Sequence, residues 1–320
     1  MTANKKKAPH ATAVCSPVAA ENRALGSTCF SLPTLRTLAE RWNAAHSQDK
    51  HIPTPAKATS RTLWTALRQA MRAECGTRSD ACWVDRDGPL ADTTLANASF
   101  APTKPASWVK NPRTWLSTTD IDRVMAQHAL VPANKFKWLG ALPRDFRAPH
   151  PAGGCVSDKM CDLNLTNMVK QTTTVNLGVV FNLDRHDESG SHWVAAFVCM
   201  DPTSTLFGVN FSNSTGSPPV DEIKSWCDDV ARTLGAPFII NKVEKQHKNT
   251  ECGVFSMYIL IRCLQTYRGL NAAGRRLPPD AKRPTFTDLC REPYNDDDML
   301  AMRDRLFRNP QAGGQGFKAK

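Results

Sequence analysis

The segment Gln246-His247-Lys248-Asn249-Thr250-Glu251-Cys252-Gly253-Val254-Phe255-Ser256-Met257-Tyr258 constrains this chain most. A polar loop passes there directly into an apolar helix, with a cysteine at the junction. Apolar residues carry the helix from Cys252 to Thr266, which makes it a central element of the fold. A thiol at a helix N-terminus faces unpaired backbone N–H groups and the positive end of the macrodipole, an arrangement that favours the thiolate. The same N–H groups can receive an oxyanion, and the amide of Gln246, six positions upstream, is placed to supply a second donor. Taken alone, the run is equally compatible with a cysteine that only fills core space and a glutamine on the surface.

A histidine upstream tips the balance. In Ser189-Gly190-Ser191-His192-Trp193-Val194-Ala195-Ala196-Phe197-Val198 a polar turn opens into an apolar strand with His192 at its mouth. A second strand candidate, Leu206 to Phe211, ends in Ser212-Asn213-Ser214-Thr215-Gly216-Ser217-Pro218-Pro219, whose turn chemistry predicts a hairpin that returns Asn213 beside His192. Asn210 is one hairpin shift away and is the alternative. Acyl transfer through a thiol needs a thiolate, an imidazole that takes and returns its proton, and a polar group that fixes the imidazole tautomer. Cys252, His192 and Asn213 fit these roles. His186 and His247 are the other histidines near the motifs, but His186 lies in a polar turn and His247 on the loop before the cysteine.

The order His192-Trp193, Asn213, Gln246, Cys252-Gly253 resembles that of the SUMO-protease (ubiquitin-like-specific protease) superfamily of cysteine peptidases. The likeness is greatest to its large-DNA-virus branch, in the stretch Gly178 to Asp184 and in the block Asn249-Thr250-Glu251-Cys252-Gly253-Val254, and it covers roughly residues 108 to 310. The resemblance implies an α+β, papain-like or adenain-like cysteine protease fold with a mixed sheet, a central helix carrying the nucleophile and an N-terminal helical arm. It implies a peptidase with His192, Asn213, Gln246 and Cys252 as catalytic residues and Trp193, Asn249 and Glu251 against the substrate, with no cofactor and no metal. It further implies protein substrates with Gly-Gly before the scissile bond, namely viral structural precursors cut during virion maturation, in the host cytoplasm at assembly sites or in the virion. Two alternatives stand beside that reading: a SUMO or ubiquitin-like isopeptidase acting on host conjugates, and an inactive binding module.

Length and composition set the frame. With 320 residues the chain has room for one catalytic domain and an appendage, assigned as a disordered basic tail over 1–30, a helical arm over 31–105, the catalytic domain over 106–310 and a Gly-rich flexible tail over 311–320. The arm rests on amphipathic spacing at Leu32 to Ala45 and Ser60 to Glu74, and Lys5-Lys6-Lys7 is a candidate nuclear address or a solvated charge run. A formal charge of +11 favours anionic partners such as nucleic acid, although no DNA- or RNA-reading motif is present. Eleven cysteines, an odd number with no signal peptide, predict reduced thiols. Cys75 with Cys82, and Cys155 with Cys161, are metal-ligand pairs only by a spacing that zinc sites rarely use. No apolar run approaches the ~18 residues of a membrane span, so no membrane partner is expected.

Overall fold

The computed structural model describes residues 13–54, 57–151, 153–170 and 173–310; the Lys5–Lys7 run and the Gly-rich segment 311–320 lie outside the described residues. The chain divides into two units, Met1–Ala106 with Asp304–Lys320, and Ser107–Arg303.

The first unit is helical. Ser31 and Thr59 cap helices Leu32–Ala45 and Ser60–Ala70, each side chain accepting the backbone N–H of the third helical residue, Thr34 and Thr62. The helices turn Leu35, Leu38 and Trp42, and Leu63 and Leu67, into a core shared with Phe30, Trp83 and Phe100. Residues 13–30 correct the expectation of a disordered tail. Helix Pro17–Asn22 forms there, Cys15 is bonded to Cys29, Ser16 N donates to Ser99 O at 3.0 Å, and Phe30 is fully buried. Their order comes from these distant contacts, which leave no periodicity in the local sequence. At the other end of the chain Arg308 joins the same unit, bonding the Asp85 carboxylate and, at 2.9 Å, Ala101 O.

The expectation of reduced thiols is also corrected. Cys15–Cys29, Cys75–Cys82 and Cys155–Cys161 are disulfides, which removes the last four from consideration as metal ligands. Cys199, Cys227, Cys252, Cys263 and Cys290 remain free and buried.

The second unit is built on a five-stranded mixed sheet, β1 Phe136–Pro143, β2 Asn176–Asn182, β3 Trp193–Cys199, β4 Gly208–Ser212 and β5 Phe238–Ile240, in the order β1-β2-β3-β4-β5. The outer pairs are parallel and the two inner pairs antiparallel. Every residue of β2, β3 and β4 is buried, so both faces of the sheet are covered. Helix Asp221–Leu234 lays Ile223, Trp226 and Val230 against Phe181, Val194 and Phe211, with Trp226 edge-on to the Phe181 ring at 5.7 Å. Helix Cys252–Tyr267 packs against β3; Leu260 comes close to Gly178 of β2, where a side chain would collide with the Phe136 ring. Helix Thr118–Ala129 starts from a capping box between Ser117 and Asp120 and packs on β1. The fold is α+β, and no helix among the described residues is long and apolar enough to cross a membrane.

Candidate active site

Register places the base and its partner. In the β3–β4 hairpin Ala195 pairs with Ser212, so the residue after Ser212 falls beside the start of β3. There His192 Nε2 and Asn213 Oδ1 lie 2.8 Å apart. The protonation pattern follows from the other contacts of that oxygen, which accepts the Thr215 backbone N–H at 3.1 Å and the Thr215 hydroxyl at 2.9 Å. An atom that accepts a backbone N–H is the amide oxygen, so His192 must donate from Nε2, and neutral His192 keeps Nδ1 as its proton acceptor. Asn210 has a different task. Its amide donates to Leu206 O at 2.8 Å inside the hairpin, where it is buried.

Cys252 opens its helix with Glu251 as N-cap and is 3% exposed. Its sulfur faces the backbone N–H groups of Trp193, Gly253 and Cys252 itself. The first belongs to the residue next to His192, which brings the nucleophile to the mouth of β3, the strand that His192 precedes. Gly253 permits the approach: a Cβ there would stand 3.0 Å from Leu116 Cδ1 and 3.3 Å from Trp193 Cδ1. Burial nevertheless pushes the Cys252 thiol above its ordinary value, the three N–H groups offset only part of this, and the Glu251 carboxylate works with the burial. The expected activation by the helix terminus is therefore outweighed. Burial also holds His192 below the ordinary imidazole value, against the opposing effect of the hydrogen bond it donates to Asn213. Both shifts disfavour the charged forms, the thiolate of Cys252 and the imidazolium of His192.

The other sequence candidates divide. Gln246 is buried; its Oε1 accepts from Ser214 Oγ at 2.6 Å and its Nε2 donates to Lys248 O at 2.6 Å, leaving one amide N–H uncommitted by these bonds. Trp193 donates from Nε1 to Leu116 O at 3.1 Å and walls the nucleophile's side of the site. Asn249 is exposed on the loop before the cysteine. Glu251 is corrected: its side chain is wholly buried and bonded to Arg303 Nε at 2.7 Å, so it anchors the loop and does not meet substrate. His186 bonds Asp145 at 2.7 Å, and exposed His247 lies 3.4 Å from Glu244, so each is engaged elsewhere. Asp145, His186 and Asp187 are near enough to share a cation, but Arg185 stands 3.7 Å from Asp145 and 3.6 Å from Asp187.

Sequence reading missed Ser214, Thr215, Leu116 and Arg303 as supports. Thr215 had a visible signal in the Asn-Ser-Thr-Gly turn, where an Asn side chain accepts the backbone N–H two residues on. Arg303 had none.

No family model matches the chain. A protein of Acanthamoeba polyphaga mimivirus named "Putative thiol protease" is 27% identical over 278 residues, 78% of this chain and 84% of that protein. The SUMO-1 cysteine protease of African swine fever virus is 25% identical over 137 residues, 41% of this chain and 43% of its own length. The homologues of this chain are viral thiol proteases. The crystal structure of the African swine fever virus protease superposes with a TM-score of 0.56 at 18% identity, covering 81% of this chain and 94% of that one, so the fold is shared as well. The likeness to these relatives supports a cysteine peptidase.

Proposed function

We propose that this protein is a cysteine endopeptidase that cuts after Gly-Gly and processes viral structural precursors during virion maturation, at assembly sites in the host cytoplasm or in the virion. The observation that carries the reading is the His192–Asn213 bond, which commits Nε2 as donor and leaves Nδ1 free to act as base, with the Cys252 thiol at a helix N-terminus facing the backbone N–H of the next residue, Trp193. In the reaction Nδ1 takes the Cys252 proton and the sulfur attacks the scissile carbonyl. The Cys252 backbone N–H and the uncommitted N–H of Gln246 receive the oxyanion. His192 then gives its proton to the leaving amine, and water, deprotonated by the same imidazole, opens the thioester. The Gly-Gly preference rests on the family resemblance.

The test is mass spectrometry of candidate precursors after incubation with the parent protein or Cys252→Ala. New termini following Gly-Gly, present only with the parent, support the proposal; cleavage at unrelated sites removes the specificity. The name of the swine fever virus relative, a SUMO-1 cysteine protease, supports the second reading of an isopeptidase acting on ubiquitin-like conjugates. A SUMO-fused reporter cut faster than any viral precursor would favour it.

Two further outcomes follow from the geometry. Asn213→Ala should lower kcat by about 10²–10⁴ through loss of tautomer control, while Asn210→Ala should chiefly lower stability. A larger activity loss in Asn210→Ala, measured with a peptide amide, would contradict the hairpin register. The pH dependence has a definite sign. A base held below its ordinary value stays unprotonated further into acid, so the acid limb of kcat/KM should have its midpoint below about pH 6.5. A thiol held above its ordinary value should show an iodoacetamide alkylation rate at Cys252 that still climbs above about pH 8.5. A rate already flat at neutral pH would mean a preformed thiolate–imidazolium pair.

A further inference from the structure

The opposite end of the nucleophile helix carries a feature that peptide hydrolysis does not use. Where helix Cys252–Tyr267 ends, a cleft of about 280 Å³ opens, lined by Lys135, Asp201, Tyr267, Arg268, Arg276 and Arg283. Sixteen residues of helix at ~1.5 Å each separate it from Cys252 by about 24 Å, so the two sites are distinct. Four cations face one carboxylate.

Helix-end electrostatics explains two of the four. Arg268 is the C-cap residue, and Arg283 donates from Nη1 to Tyr267 O at 3.0 Å, satisfying one of the last carbonyls. Lys135 and Arg276 come from separate segments and are both exposed; among the described residues neither side chain has a carboxylate within ion-pair distance. Lys135 has φ 43° and ψ 44°, a left-handed conformation that costs a non-glycine residue roughly 1–2 kcal/mol. The turn from residues 132–134 into β1 demands that conformation, and glycine would supply it without cost. A lysine there keeps a cation at the cleft in spite of the strain.

We propose that this cleft binds a compact, multiply charged phosphate anion, of the kind carried by inorganic oligophosphates and by the phosphate chain of nucleotides. Guanidinium forks grip phosphate oxygens in pairs, the lysine adds a point charge, and the Tyr267 hydroxyl adds a neutral donor. Asp201 disfavours anions that lack enough charge to overcome it. A small, closely spaced set of cations fits an oligophosphate better than a nucleic acid backbone, which asks for an extended basic track.

Isothermal titration calorimetry on the full-length protein with sodium tripolyphosphate tests this, with ATP and sodium sulfate as parallel titrants at matched ionic strength and thermal unfolding as a second readout. Saturable 1:1 binding of tripolyphosphate or ATP, with a rise in Tm and little response to sulfate, is the expected result; the tighter of the two identifies the inorganic or nucleotide source. Lys135→Asn combined with Arg276→Gln should weaken binding by about tenfold or more through the loss of two charge-assisted contacts. Asparagine tolerates the left-handed backbone, so this variant keeps the turn. Parent-like affinity in the double variant, or no saturable binding of either phosphate compound, overturns the proposal. So does binding confined to single-stranded oligonucleotides and growing with their length. None of these readouts depends on peptidase activity, so the site stands or falls apart from the reaction proposed for Cys252.

Discussion

Cys252→Ala and His192→Ala should each lower kcat/KM for a Gly-Gly peptide amide by a factor on the order of 10⁴ or more while leaving the protein folded. Loss of the sulfur removes the atom that must bond to the carbonyl carbon. Loss of the imidazole leaves a thiol that burial holds in its neutral form, with no base to ionise it. Neither side chain is a major packing element: Cys252 is small, and half-buried His192 is held by its bond to Asn213. Single-turnover assays beside circular dichroism and thermal unfolding separate chemistry from folding. Turnover near the parent's in Cys252→Ala would end the thiol mechanism.

Arg303→Met should destabilise the fold by about 3–5 kcal/mol, the scale for breaking a buried ion pair by removing one partner. The Arg303 and Glu251 side chains are 3% and 0% exposed and lie 2.7 Å apart. Arg303 also donates to Thr114 O at 2.7 Å and places its guanidinium 4.6 Å from the Trp108 ring centroid, so one side chain ties the loop before the nucleophile to two other segments. Without it the Glu251 carboxylate stays buried without its cation. Pairing the change with Glu251→Gln should recover a large part of the loss, as urea unfolding of both variants would reveal. Equal stability of parent and Arg303→Met would mean that water already reaches the pair.

The parts of this molecule written in contiguous sequence were the legible ones. His192 stands at the head of an apolar strand and Asn213 in a turn rich in Ser, Thr and Gly, and the hairpin between them is short enough for local chemistry to set its register. The apolar run after Cys252 announced a buried helix in the same way. What stayed hidden depends on partners far apart in the chain. The family resemblance set Glu251 against the substrate, yet its environment is decided by Arg303, 52 positions away. Residues 13–30 looked like a tail because a disulfide and a buried Phe30, and no helical period, hold them. Cysteine spacings of 14, 7 and 6 carry no pairing rule, so the three bridges could be recognised only in space. The thiol's environment was misjudged for a related reason, since the sequence displays the helix terminus but not the depth at which it is buried.

The contact of Gly253 with Leu116 and Trp193 has a consequence for how such a centre can change over generations. The imidazole tautomer is set within the β3–β4 hairpin, whereas the nucleophile helix is seated by an apolar seam between Gly253, Leu116 and Trp193. Change at the Asn213 turn can alter the tautomer without touching the seam, and change at Leu116 can displace the sulfur without altering the tautomer. The two properties are therefore open to selection one at a time, and the seam, which contains no ionisable group, is where a change invisible to any pH profile could still silence the enzyme.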